Sequence, residues 1–85
     1  MNTEELLSER QKTHGSFVDQ AKTAQALKRV MCLTPNWQNM PPYMREGIEL
    51  ICTKMARMGH GDWQEADHPR DGSGYFELIV EGLWK

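Results

Sequence analysis

The sequence contains few cysteines, no long apolar run and no cluster of basic residues. Two cysteines are too few for the disulfide framework of a small secreted domain. A membrane-spanning helix needs about 20 consecutive apolar residues, and no run in this chain approaches that length. Residues 2–5 are polar and acidic, whereas a secretory signal begins with basic and apolar residues. We therefore expect a cytoplasmic protein that does not enter membranes.

An excess of charge of either sign is also lacking. Ten Lys and Arg residues stand against twelve Asp and Glu residues, which gives a net charge of −2. Proteins that bind duplex nucleic acid present a basic face to the phosphate backbone. The even charge balance therefore excludes that class of partner.

The size of the chain limits the core that it can form. Residues 1–85 are predicted to form one domain, and domains of this size bury only about 60–65% of their unfolded surface. The six methionines and three tryptophans are many for so small a core. We therefore expect a homo-oligomer, a dimer in which the second and third helices pack against their mates.

Capping residues and apolar spacing predict the first two helices. The first runs from Thr3, as its N-cap, to about His14, and Gly15 ends it. Ser16, with Asp19 in a capping-box arrangement, begins the second helix, which continues to about Leu33. Its apolar residues recur every three or four positions, as on one face of a helix: Phe17, Ala21, Ala24, Leu27 and Met31.

The rest of the chain predicts a loop, a long helix and a short closing helix. Residues 34–42 are rich in Pro and Asn, and Trp37 is expected to fold back onto the core. The third helix begins near Pro42 and ends at Gly59 and Gly61, with an apolar stripe at Met44, Ile48, Ile51, Met55 and Met58. Residues 75–84 suit a closing helix, although their pattern also fits a strand. The predicted fold is all-α, a small three- to four-helix bundle completed by oligomerisation.

Histidines and carboxylates cluster before the closing segment, at His60, Asp62, Asp67, His68 and Asp71. These residue types bind metals, yet their spacing matches no standard zinc or calcium site. The simpler interpretation is a solvated loop, so the metal site is a weak candidate. Cys32 and Cys52 each lie in an apolar segment and are predicted to be buried thiols.

Cations and one aromatic residue suggest a phosphate-binding site. Lys54 and Arg57 are one helical turn apart and can hold one phosphate together, although Lys54 also suits a side chain that covers the edge of the core. His14 lies at a helix-to-helix corner, where the next helix offers free N–H groups to an anion. The candidate ligand-binding residues are Arg10, His14, Lys54, Arg57 and Tyr75.

The same residues carry a family resemblance that covers about residues 9–82. Arg10-x-x-x-His14-Gly15, Lys54-x-x-Arg57 and a closing Asp67-x-x-x-Asp71-x-x-Gly-Tyr segment resemble a family of short proteins from tailed phages and prophages. The resemblance implies the cytoplasm of a bacterial host. Pro69, Gly72 and Ser73 depart from the family pattern, and because Pro and Gly weaken helices, we expect the closing helix to begin near Ser73. Asp67 and Asp71 would then lie on a loop.

These features support three functional hypotheses. The leading one is a phage-type binding module that captures a phosphate-bearing nucleotide or nucleotide-derived signal in counter-defence or host takeover, and it leaves open whether the protein is an enzyme. The second is a Mg²⁺-dependent nucleotide pyrophosphohydrolase that resembles MazG-type enzymes. Its catalytic carboxylates would be Glu46, Glu49, Asp67 and Asp71, although the second pair lacks the family spacing. The third is a factor that inhibits a host protein through exposed Trp and Met residues.

Overall fold

The computed structural model describes residues 2–85 and is all-helical. Its elements are α1 (Thr3–His14), α2 (Phe17–Cys32), α3 (Pro42–His60) and α4 (Asp67–Leu83), with a 3₁₀ turn at Trp37–Asn39. Residues 2–85 contain no β-strand, so the predicted all-α class is confirmed and the strand alternative for residues 75–84 is wrong. No helix in this part of the chain is long and apolar enough to cross a membrane.

Helix α3 lies at the centre of an open row of helices. It packs against α2 on one side and against α4 on the other, whereas α1 makes only a small contact with α2 and α3. Helices α3 and α4 run antiparallel, since Gly47 near the start of α3 meets Ile79 near the end of α4. Further along, Lys54 of α3 pairs with Asp71 of α4.

The core is small and is built around small side chains of α3. Ala56 is fully buried and Cys52 is 2% exposed, and both lie where α3 is covered by its neighbours. The buried apolar residues are Ala24, Trp37, Ile51, Cys52, Ala56 and Ile79. Small residues let helix backbones approach closely, which is why the buried face of α3 is centred on them.

Several large apolar residues that the sequence placed in the core are exposed. Phe17 is 76% exposed and Met55 is 46% exposed. Cys32 is also exposed, so its predicted burial is wrong, whereas Cys52 is buried as predicted. The reason is the open arrangement, in which the outer faces of α2 and α4 have no neighbour within residues 2–85.

The loop between α2 and α3 is held by Arg45. Its guanidinium donates hydrogen bonds to the carbonyls of Trp37 at 2.9 Å and Gln38 at 2.8 Å. It also lies 5.9 Å from the centre of the Trp37 ring. Trp37 is 9% exposed, so its predicted return to the core is confirmed.

The helix ends differ from the sequence predictions at four places. Asn2, not Thr3, caps α1, because its side chain accepts a 2.8 Å hydrogen bond from the Glu5 N–H. Ser16 makes no side-chain cap on α2, so the predicted capping box is wrong. Helix α3 continues through Gly59 to His60, and Gly61, the second of the two glycines predicted to end it, is its C-cap.

The fourth difference is the start of α4, which begins at Asp67 rather than near Ser73. Pro69 lies in the first turn, where backbone N–H groups have no helical acceptor, so proline costs little there. His68 is 2% exposed and anchors this turn in the protein interior. The expectation that Asp67 and Asp71 lie on a loop is therefore wrong.

Candidate anion-binding site

The corner between α1 and α2 is fixed by hydrogen bonds to a single carbonyl. The Thr13 carbonyl accepts a bond from the Asp62 N–H at 2.9 Å and another from His68 Nε2 at 3.1 Å. Gly15 has a φ of 83° and lies against the backbone of His60, and Gly61 lies against the backbone of Thr13 and His14. A Cβ at either glycine would therefore overlap backbone atoms. Because α1 has no buried residue among those described, this corner is its main attachment.

A groove opens at this corner between α1, α2 and α3. Its volume is about 510 Å³, within the range of about 300–1,000 Å³ typical of small-molecule sites. The lining residues are either cationic or uncharged, and none of those described is acidic. They are Leu7, Arg10, Gln11, His14, Gly15, Phe17, Gln20 and Arg57.

Arg57 lines the groove and has a buried nitrogen that pairs with none of the described residues. Its Nε is buried and has no hydrogen-bond partner among residues 2–85. Buried donors are nearly always paired, and a guanidinium offers several N–H groups in one plane. Residues 2–85 therefore supply no acceptor for this N–H, and the guanidinium that carries it lines the groove.

His14 lies beside Arg57 in the same groove. Its ring centre is 5.4 Å from that of His68, with the two planes tilted by 54°. Partial burial lowers the pKa of His14, and the positive charges of Arg57, His68, Lys54 and Arg10 lower it further. A bound anion would offset those charges and favour the protonated ring.

The amino end of α2 also faces this corner. The first backbone hydrogen bond of the helix runs from the Gln20 N–H to the Ser16 carbonyl at 2.9 Å. The N–H groups of residues 17–19 therefore precede the helical ladder, and the Ser16 side chain does not cap them. Helix ends of this kind favour anions.

Two of the five predicted ligand-binding residues lie outside the groove. Lys54 is only 14% exposed, and its Nζ is 2.9 Å from the Asp71 carboxylate. The hydrogen bond and charge of Lys54 lower the pKa of Asp71, which favours the ionised carboxylate. Tyr75 instead lines a shallow depression with Glu46 on the α3–α4 side. The structure thus brings together Arg10, His14 and Arg57 alone.

The carboxylates of the pyrophosphohydrolase hypothesis do not converge. Asp71 lies opposite Lys54, and Glu46 is eight residues from Lys54, about 12 Å along the helix axis. Asp67 accepts a 3.0 Å hydrogen bond from Arg70. The two pairs therefore occupy different levels of the antiparallel helices.

The residues suggested as metal ligands are engaged in other contacts. His60 Nε2 is 2.6 Å from the Thr23 hydroxyl, and Asp62 accepts a 2.9 Å bond from the Gln64 N–H. His68 bonds the Thr13 carbonyl and Asp71 pairs with Lys54. Within residues 2–85, no three His, Cys, Asp or Glu side chains are placed to hold a metal ion.

Sequence reasoning missed Gln20 and Phe17 as residues of the groove. Gln20 is 5% exposed and precedes the buried Ala24 by one turn, so a polar residue on the buried side of α2 was the available signal. Phe17 was assigned to the core by its spacing, yet it borders the groove. Comparison with protein-family models, curated proteins and solved structures gave no match. The assignment of this site therefore depends on its geometry.

Proposed function

We propose that the groove between α1, α2 and α3 binds a phosphate-bearing small molecule of the nucleotide class. The observation that carries the proposal is that the buried Nε of Arg57 has no partner among residues 2–85 and that none of the described lining residues of the groove is acidic. Arg10 and His14 add positive charge or hydrogen-bond donors at the same place. Such a set of groups is suited to an anion with several acceptor oxygens.

The groove also has room for the rest of a nucleotide. Arg57 and Arg10 would contact phosphate oxygens, and the free N–H groups at the start of α2 would complete the phosphate contacts. The exposed ring of Phe17 and the side chain of Leu7 border the groove and offer an apolar surface to a base. Phe17 would thus provide the aromatic group of the site in place of Tyr75, the one aromatic residue among the sequence candidates.

Calorimetric titration with nucleoside monophosphates and cyclic nucleotides tests this function. Arg57→Gln should weaken binding at least about tenfold, because it removes the central cation. Arg70→Gln is a matched control that makes the same charge change on an exposed side chain outside the groove. Absence of binding by every phosphate compound, or equal losses in both variants, would contradict the proposal.

The resemblance to small phage proteins suggests a biological setting. A phage protein that sequesters a nucleotide-derived signal lowers its free concentration and needs no catalytic group. Counter-defence and host takeover both require only such capture. Expression in bacteria followed by measurement of free and protein-bound nucleotides would test this role, and an unchanged nucleotide pool would count against it.

The pyrophosphohydrolase alternative receives less support from the geometry. Its four carboxylates lie at different levels of α3 and α4, whereas Mg²⁺ needs oxygen ligands around one point. It predicts pyrophosphate release from a nucleoside triphosphate that Glu49→Gln abolishes. The host-protein alternative has the exposed Trp63 and Trp84 in its favour, at 70% and 86% exposure.

A further inference from the structure

The chain exposes more surface than a compact monomer of its mass. Its accessible area is 6243 Å². A folded monomer of 9.8 kDa is expected to expose about 5,200 Å², so the excess is roughly 1,000 Å². The radius of gyration is 14.4 Å, against about 12 Å for a compact domain of this length. One partner of a standard interface contributes about 800 Å², which the excess covers.

Part of the exposed apolar surface follows one stripe of α4. Positions 69, 73, 76, 80 and 83 recur every three or four residues, as in a helix that packs against another helix. On this stripe Phe76 is 57% exposed, Val80 is 44% exposed and Leu83 is 61% exposed. Met55 of α3 lies beside Phe76 and widens the same face.

A hollow of about 330 Å³ interrupts this face between α3 and α4. It is lined mainly by apolar groups, among them Met55, Met58, Pro69 and Phe76. Gly72 also lines the hollow, and a Cβ built at this position would meet nothing within 4 Å. The hollow therefore has space for a side chain that residues 2–85 do not supply.

We propose that this α3–α4 face binds a second copy of the chain, with the two α4 helices crossing antiparallel near Phe76. In a two-fold arrangement, positions equally distant from the crossing point meet each other. Val80 follows Phe76 by four residues and Gly72 precedes it by four. Val80 of one copy therefore lies opposite the hollow at Gly72 of the other copy. Pro69 likewise lies opposite Leu83.

The second copy is favoured over a foreign partner because the same face carries the exposed Val80 side chain and the hollow at Gly72 that would receive it. A two-fold interface requires such self-complementarity, since each copy uses the same surface. The net charge of −2 is too small to oppose association. Burial of the stripe would also form an intermolecular four-helix core from two α3–α4 pairs.

The oligomeric state of matched glycine variants tests this interface. Gly72→Leu places a side chain in the hollow, where its Cβ meets nothing within 4 Å among the described residues, and it should weaken dimerisation at least about tenfold. Gly74→Leu makes the same change at an exposed helical position with no neighbour within 4 Å of a Cβ, outside the hollow. Both changes favour the helix, so retained folding is expected and is checked by circular dichroism.

Analytical ultracentrifugation at micromolar concentrations gives the readout. Wild type and Gly74→Leu should have twice the mass of the 9.8 kDa chain, and Gly72→Leu should have the mass of a single chain. Phe76→Glu, which places two negative charges at the crossing point, should also be monomeric. Wild-type protein that is monomeric up to high micromolar concentration, or Gly72→Leu and Phe76→Glu that dimerise as wild type does, would overturn the proposal.

Discussion

His14 titrates in surroundings that disfavour its charged form. Its pKa is lowered below 6.5 by burial and by neighbouring cations, so the folded protein releases a proton that the unfolded chain keeps. The stabilising contribution of neutral His14 is therefore complete above pH 6.5 and is lost as the pH falls toward its folded pKa. Thermal melts between about pH 8 and 5 should show a smaller loss of stability in His14→Gln than in wild type. Parallel curves would contradict the prediction.

Anion binding should reverse the effect on His14. A bound anion offsets the surrounding charges, so its binding is coupled to proton uptake by the ring. Sulfate keeps its charge over this range, and its affinity should rise as the pH falls from about 7.5 to 6. In His14→Gln the affinity should change less with pH. A wild-type affinity that is independent of pH would show that His14 does not face the anion.

The site seen in the structure differs from the site inferred from sequence in that it does not include Lys54. The sequence grouped Lys54 with Arg57, but the structure pairs its ammonium group with Asp71 at 2.9 Å. Lys54→Met should therefore change nucleotide affinity by less than about threefold, against at least tenfold for Arg57→Gln. Equal losses measured by calorimetry would place both cations on the ligand.

At the scale of the helices, two glycines of α3 have opposite surroundings. A Cβ at Gly47 would lie 2.8 Å from the Cγ1 and Cδ1 atoms of Ile79, which is 9% exposed and has little room to move. Gly47→Ala should lower the free energy of unfolding by about 1–2 kcal/mol despite its better helix propensity. Gly59→Ala, with nothing within 4 Å, should raise it by about 0.5–1 kcal/mol. Urea unfolding at one protein concentration checks both changes.

Most helix ends follow from local sequence signals, and α4 shows where such signals fail. Gly15 and Pro42 mark the end of α1 and the start of α3 because their backbone preferences act locally. Pro69 and Gly72 looked like helix breakers, but packing of α4 on α3 and burial of His68 outweigh their propensities. Tertiary contacts of this kind cannot be read from one segment alone.

The sequence predicted part of the candidate site, as it predicted most of the helix ends. Arg10 and His14 are one helical turn apart on α1, and the resemblance linked them to Arg57, so sequence alone suggested their grouping. Lys54 does not join this group because it pairs with Asp71. Asp71 lies on α4 only because that helix begins at Asp67, earlier than the sequence predicted. The error at one helix end therefore became an error at the site.

At the scale of the whole molecule, α3 separates two surfaces with different chemistry. Arg57 faces the cationic groove, whereas Met55 borders the apolar hollow against α4. If the groove binds nucleotide and the hollow binds a second copy, the two events use different residues. Gly72→Leu should therefore bind the nucleotide within about twofold of wild type. A loss comparable to that of Arg57→Gln would mean that the groove depends on the dimer.

The most direct test of the anion site is a nuclear magnetic resonance titration of ¹⁵N-labelled protein with adenosine monophosphate. If the groove binds the phosphate, the largest shifts occur at the backbone amides of Gly15, Phe17 and Val18 and at the side-chain Nε of Arg57. Adenosine, which lacks the phosphate, should leave the Arg57 signal unchanged. Shifts centred on residues 70–78, or no shifts at millimolar nucleotide, would contradict the account.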